Sequence, residues 1–427
     1  MSNVNSSRLF IASCFALVTT AFAFAIRAGI LSELAGKFSL SDTQLGYINQ
    51  MAILGFPIAT IVGGWLYNEF GPKRMVWLAF ASHLLGIVMT IFAGGFTTLL
   101  LSNFFIGFGN GTVEAACNPL ITNMYKNNQT TMLNRFHVWF PGGIFLGSLI
   151  SQFMGGSLHL AWQWQIAIML IPLAIYAWLF LGQEFPDREA SGQASITDNL
   201  KGIFTPLYLF IMFCMVLTAN TELSTQQWVE RLLGNAGAQP MLVLALVTGL
   251  MAVGRYFAGP VVHRLNPTGV LLSSAVVATI GIYTMSQATG AMTYVSAVLF
   301  AIGVCYFWPT MLGFTAENVP KSGALGLSLM GGAGMFATAM LQPVVGGWLD
   351  QSKLNNAAQM GFQYEGEVSS EGINTFLSTI PADQLKQLEL MAGQETLGHI
   401  VIFPAILMVA FGILWFWMRG KMQATHS

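Results

Sequence analysis

Charge is scarce in this sequence: 8% of its 427 residues are Asp, Glu, Lys or Arg, against 54% hydrophobic. Soluble domains carry about 25% charged residues, so a water-solvated fold is excluded. Cysteine is sparse as well. Cys14, Cys117, Cys214 and Cys305 all sit in apolar stretches, at none of the spacings that metal sites use, and read as small core residues. There is no Gly-x-x-x-x-Gly-Lys-Ser/Thr phosphate loop, no His-Glu-x-x-His zinc pattern and no nucleophile with its base, which argues against ATP drive and against an enzyme. A net charge of -1, with the bases dispersed over loops, gives nucleic acid no footing. Strand-type alternation is missing too, which excludes a β-barrel.

What is present is a series of long apolar runs. A hydrocarbon layer roughly 30 Å thick needs about 20 residues per helix. Twelve stretches meet that need, at 9–31, 45–67, 75–95, 98–124, 136–156, 163–182, 204–229, 240–262, 269–288, 291–314, 323–348 and 398–418. An all-α protein with the lipid bilayer as its solvent is expected, because only helices satisfy the backbone within each span. Arg8 followed by an apolar run and Ala21-Phe22-Ala23 has the look of a signal peptide, but its removal would leave an odd number of helices, so the first span is read as retained.

The basic residues set the orientation. With the N-terminus inside, Arg8, Lys73, Arg74, Lys126, Arg135, Arg188, Lys201, Arg264, Lys321, Arg419 and Lys421 are cytoplasmic, 11 in all. Only 4 (Lys37, Arg231, Lys353, Lys386) fall outside, and Arg27 and Arg255 lie within spans. The asymmetry puts both termini in the cytoplasm of a multi-pass inner (plasma) membrane protein.

The plan is used twice. Gly64-Trp65-Leu66-Tyr67-Asn68-Glu69-Phe70-Gly71-Pro72-Lys73-Arg74 follows the second span, and a loop of the same layout beginning at Gly259 follows the eighth, 195 residues on. Two copies of six spans mark a carrier whose halves rock about a central site. Residues 1–183 form the first bundle, 184–203 the cytoplasmic linker and 204–427 the second bundle. A polar stretch at about 350–397 faces outward; Asp350 to His399 holds 7 acids against 2 bases, and its 381–390 run reads as a short amphipathic helix, either a lid or a solvated insertion.

The first of these loops resembles the signature loop of the major facilitator superfamily, Gly-x-Leu-x-Asp-Arg-x-Gly-Arg-Lys. Gly64, Leu66, Gly71 and Lys73 match; Asn68, Glu69 and Pro72 depart. The resemblance implies two six-helix bundles related by a pseudo-two-fold axis, with Gly64, Asn68, Gly71, Lys73 and Arg74 in the cytoplasmic gate.

Ionisable groups at membrane depth are costly, so each one marks a candidate site. The fourth span, Gly107-Phe108-Gly109-Asn110-Gly111-Thr112-Val113-Glu114-Ala115-Ala116-Cys117-Asn118-Pro119, puts Glu114 and Asn118 on one helix face behind glycines suited to close helix contact. Glu114 is read as a proton carrier, or else as a carboxyl that joins helices. This span and the fifth, with Asn134, His137 and Gly143, resemble the fucose:proton symporter branch, which implies a proton-linked sugar carrier with Glu114 in coupling. In that branch the first helix carries an acid; here Phe38-Ser39-Leu40-Ser41-Asp42-Thr43-Gln44 matches the turn that follows, but Arg27 and Ala28 occupy the region of the acid.

Arg27, always protonated, can neutralise Glu114, hold an anionic substrate or bond sugar hydroxyls; snorkelling to the outer interface is the alternative. The seventh span ends in Asn220, Glu222, Gln227 and Trp228, amides and a carboxyl beside an indole, which suits a sugar ring as well as it suits a headgroup anchor. Its Glu-to-Trp spacing resembles the same branch. His137 is a gate or ligand candidate. Trp308-Pro309 and Gln342-Pro343 are expected to break their helices near the cavity. Arg255 suggests an ion pair or a headgroup contact, and His83 a core or lipid-facing residue. The resulting expectation is a monomeric secondary transporter, with a proton gradient and no cofactor, importing a sugar or polyol; a carrier of organic anions anchored by Arg27 is the alternative.

Overall fold

A computed structural model describes residues 4–126, 129–186, 201–366 and 369–425. The side chains of 64–69, among them Asn68 of the signature loop, and most of the linker fall outside the described residues. Among the described residues there is no strand. Twelve apolar helices follow one another. They are α1 Ser6–Phe38, α2 Asp42–Gly63, α3 Phe70–Ile91, α4 Phe96–Met124, α5 Arg135–Ser157, α6 Trp162–Phe180, α7 Pro206–Gln227, α8 Pro240–Tyr256, α9 Arg264–Met285, α10 Ala291–Asn318, α11 Leu325–Gln359 and α12 Ala382–Arg419. Ten are long and apolar enough to cross a membrane; α8 is shorter, and α4 carries Asn103, Asn110, Glu114 and Asn118.

The repeat reappears in the backbone. Gly71, at the joint of α2 and α3, has φ 73°, and Asn266, at the start of α9, has φ 54°; each precedes a proline. The two lie 195 residues apart, the same interval as Gly64 to Gly259. Left-handed backbone favours Gly, and Asn tolerates it; Asn266 adds a cap, its Oδ1 accepting from Gly269 N at 3.1 Å and from Thr268 Oγ1 at 2.9 Å.

Glycines let the helices close. A side chain on Gly107 would strike the Ala52 carbonyl, and one on Gly111 the Phe56 carbonyl, so α4 lies backbone to backbone on α2 as the glycine pattern predicts. Pro119 stays inside α4 without breaking it. The tenth helix does break, between Val304 and Phe307, next to Trp308.

Two expectations are corrected. Pro343 does not interrupt α11, which runs on to Gln359. Gln342 Nε2 donates to the Thr338 carbonyl at 3.1 Å in the turn before the proline, and Gly46 of α2 packs against residues 342–343, so the weak turn is held from both sides. The 381–390 run is not a separate short helix but the first turns of α12, within its segment Ala382–Ile400.

Candidate functional site

Side-chain bonds between residues 4–186 and 201–425 gather at one end of the molecule, the end that carries the α1–α2 turn. Asp42, 1% exposed at the N-terminus of α2, takes Arg231 Nε on Oδ1 at 2.7 Å and Lys353 Nζ on Oδ2 at 2.5 Å. Asp350 accepts from the Asp42 and Thr43 backbone N–H groups at 3.0 and 2.8 Å, a carboxylate on a helix N-terminus. Arg231 also reaches Ser32 Oγ, and Glu230 accepts from Ser32 N at 2.8 Å. Burial raises the Glu230 carboxyl above its ordinary range, while the Ser32 bonds and Arg231 act in the opposite direction. Beyond the ion network, the short helix Ser370–Ser378 touches the same turn through Asn374 Nδ2 to Ser39 O at 2.8 Å and Ser370 Oγ to Ser41 Oγ at 2.9 Å. Taking one partner from a buried ion pair costs about 3 to 5 kcal/mol, so this end is firmly shut.

Just inside that closure lies Arg27, 3% exposed. Its Nε donates to Asn49 Oδ1 at 3.0 Å and its Nη2 to Gln227 Oε1, which joins α1, α2 and α7. The guanidinium also lies over the Phe24 ring, 5.2 Å from its centroid. This burial rules out the snorkelling alternative. It also corrects the expected pairing with Glu114, because both of Arg27's bonded partners are neutral amides and no described carboxylate pairs with it.

Trp228 caps the end of α7, fully buried, and donates Nε1–H to Gln342 Oε1 at 2.9 Å; Gln342 in turn donates to Ser224 Oγ at 3.3 Å. It is therefore no headgroup anchor, and in this conformation its faces are closed to a sugar ring. Asn220 donates to its own helix, at Val216 O. Glu222 faces Arg255 Nη2 at 3.5 Å, and Arg255 Nε donates to Cys305 O at 2.9 Å. Of the two readings for Arg255 the ion pair is the one found. Trp308 packs on the glycines of α11, 3.4 Å from where a side chain on Gly334 would begin.

Toward the other end, α4 and α5 bring Glu114, Asn118 and His137 together. Asn118 Nδ2 donates to Glu114 Oε2 at 2.6 Å, His137 Nε2 meets Asn118 Oδ1 at 3.1 Å, and His137 Nδ1 is 3.9 Å from Glu114 Oε1. The His137 side chain is 43% exposed and that of Glu114 14%, so this cluster opens to the protein surface while Arg27 is sealed off. Gly71 is buried and Lys73 and Arg74 exposed at the α2–α3 joint. His83 is a core residue, its Nε2 against Asn110 Oδ1 at 2.9 Å and its Nδ1 against the Tyr176 hydroxyl at 3.3 Å. The four cysteines are free and buried.

Sequence reasoning missed Asp42, Asp350 and Asn49. Asp42 opens α2, where an acid is unremarkable, and Asp350 follows the apolar run 323–348, although α11 itself continues to Gln359. Asn49 did leave a signal, an amide within the apolar run 45–67.

Residues 13–343 match the family described as Major Facilitator Superfamily. The hexuronate transporter of Bacillus subtilis (strain 168) is 26% identical over 147 residues, 34% of this chain and 34% of that protein. The 3-(3-hydroxy-phenyl)propionate transporter of Escherichia coli (strain K12) is 26% identical over 255 residues, 56% of this chain and 61% of that one. The matched stretches thus span from about a third to three fifths of these relatives. Among solved structures, a bacterial homologue of the human lysosomal transporter Spinster, inward-facing and unoccupied, superposes with a TM-score of 0.76 at 16% identity, covering 96% of this chain and 97% of its own. A D-xylose-proton symporter does so with 0.71 at 14% identity, covering 91% and 96%.

Proposed function

The chain belongs to the Major Facilitator Superfamily, and from that premise we propose that it is a proton-coupled secondary transporter of organic acids, sugar acids foremost, working by alternating access. One observation carries the choice of substrate: Arg27 is buried on the path between the halves with two amide oxygens and no carboxylate beside it. A buried charge without a counter-ion is expensive, and the ion that would complete it is a substrate carboxylate. Two acid transporters among the relatives support this reading.

In this reading the end closed by Asp42 faces outward, the 64–74 joint lies in the cytoplasm with both termini, and the described conformation is open inward. The membrane is the inner (plasma) membrane, the working unit a monomer and the energy source the proton gradient. The acid enters from outside when the Asp42 network parts, and its carboxylate joins the amides on Arg27. Glu114, wetted from the inner side and held by Asn118, takes and releases the proton, with His137 as its neighbour on the way to water. Glu222 is kept neutralised by Arg255, so it adds no repulsion toward an anion.

A second reading, a neutral sugar or polyol, is favoured by the amides Asn118, Asn220 and Gln227 along the same path and by the fold likeness to the D-xylose-proton symporter. In it Arg27 bonds hydroxyl groups. Uptake into proteoliposomes under an inward proton gradient separates the two. Labelled glucuronate should accumulate and glucose should not; accumulation of glucose alone would discard the acid reading.

A further inference from the structure

Two buried amide groups on this path have a polar atom that the protein leaves unmatched. Asn49 is 0% exposed, and while its Oδ1 accepts from Arg27 Nε, its Nδ2 has no acceptor among the described residues. The amide cannot turn over, since its NH2 would then confront the guanidinium N–H. A lone donor is thus fixed beside the cation, and an unmet buried donor is costly to the fold.

Asn220 is the complement. Its Nδ2 donates to Val216 O at 2.8 Å, which fixes its orientation and leaves Oδ1, equally buried, as an acceptor with no donor. Asn220 precedes Gln227, which holds Arg27, by two helical turns, so both lie on one face of α7 about 10 Å apart. One end of this track therefore offers only donors and the other an acceptor. That polarity suits a molecule with a carboxylate at one end, which can only accept, and a hydroxyl at the other, which can donate.

We infer that Asn49 and Asn220 set the two ends of the substrate: Asn49 Nδ2 donates to the carboxylate beside Arg27, and Asn220 Oδ1 accepts from a distal hydroxyl. An extended hydroxycarboxylate presents these two groups at its opposite ends. The inference rests on the organic-acid reading given above and specifies which acid.

Binding of gluconate, hexanoate and glucose to the purified full-length protein tests it. The wild type should bind gluconate at least tenfold more tightly than hexanoate. Asn220→Ala should bring gluconate down to the level of hexanoate and leave hexanoate unchanged. Asn49→Ala should weaken both acids alike, by several-fold. Asn49→Asp, nearly isosteric, gives Arg27 a resident counter-ion and should cost both acids more than tenfold without weakening glucose. If the wild type binds glucose and neither acid, the organic-acid reading fails and this inference with it. If the acids bind but the Asn49 variants match the wild type, or Asn220→Ala weakens hexanoate as much as gluconate, the inference alone is overturned.

Discussion

At the scale of single residues, the two arginines that lie within spans are treated differently. Arg255 has the Glu222 carboxylate at 3.5 Å; Arg27 has amides. Arg27 and Glu222 are separated by the 195 residues of the internal repeat, so α1 and α7 carry opposite charges at matching positions. One is completed by the protein; in the organic-acid reading the other is completed by substrate. Glu114 is a further ionisable group within a span, and its place beside the exposed His137 is what the proton-carrier reading needs. Glu114→Gln keeps the bond to Asn118 and removes titration. Proton-driven accumulation should collapse in that variant, while exchange of labelled for unlabelled acid continues at a reduced rate. Undiminished accumulation at normal protein levels would take Glu114 out of coupling.

At the scale of elements, the long helices were legible because apolar length and the positions of Lys and Arg are local properties. So was the Glu114–Asn118 face, which needs only the helical period. The closed end was not, because Asp42 meets partners 189 and 311 residues away. No short-range pattern marks such a meeting. The burial of Trp228 was hidden for a related reason: an indole at the end of an apolar helix reads as a sugar platform or an interfacial anchor until α11 brings Gln342 against it. Pro343 misled because the reading of a helix break ignored the packing of α2 on that turn. Asp42→Asn leaves Arg231 and Lys353 buried without their shared counter-charge, which should destabilise the closed end by about 3 to 5 kcal/mol. Gln50, between α2 and α11, reports on it. A cysteine placed there should react with an impermeant thiol reagent added outside at least tenfold faster in the Asp42→Asn background. Equal rates would show that the ion network does not hold the halves together.

At the scale of the whole molecule, the two bundles meet through bonds at one end and leave the Glu114 cluster partly exposed at the other. Alternating access requires that asymmetry to reverse, with the Arg27 site common to both states. Substrate binding helps only if it favours the passage between them. In the organic-acid reading, an anion that neutralises Arg27 removes an uncompensated charge from the interface before the halves part. The most direct measurement is the affinity of glucuronate and of glucose for the wild type and for Arg27→Gln, which keeps hydrogen bonding and deletes the charge. Loss of a charge-assisted bond costs about 1.5 to 3 kcal/mol, so glucuronate affinity should fall at least tenfold and glucose should become relatively favoured. Unchanged glucuronate affinity in Arg27→Gln would contradict the account.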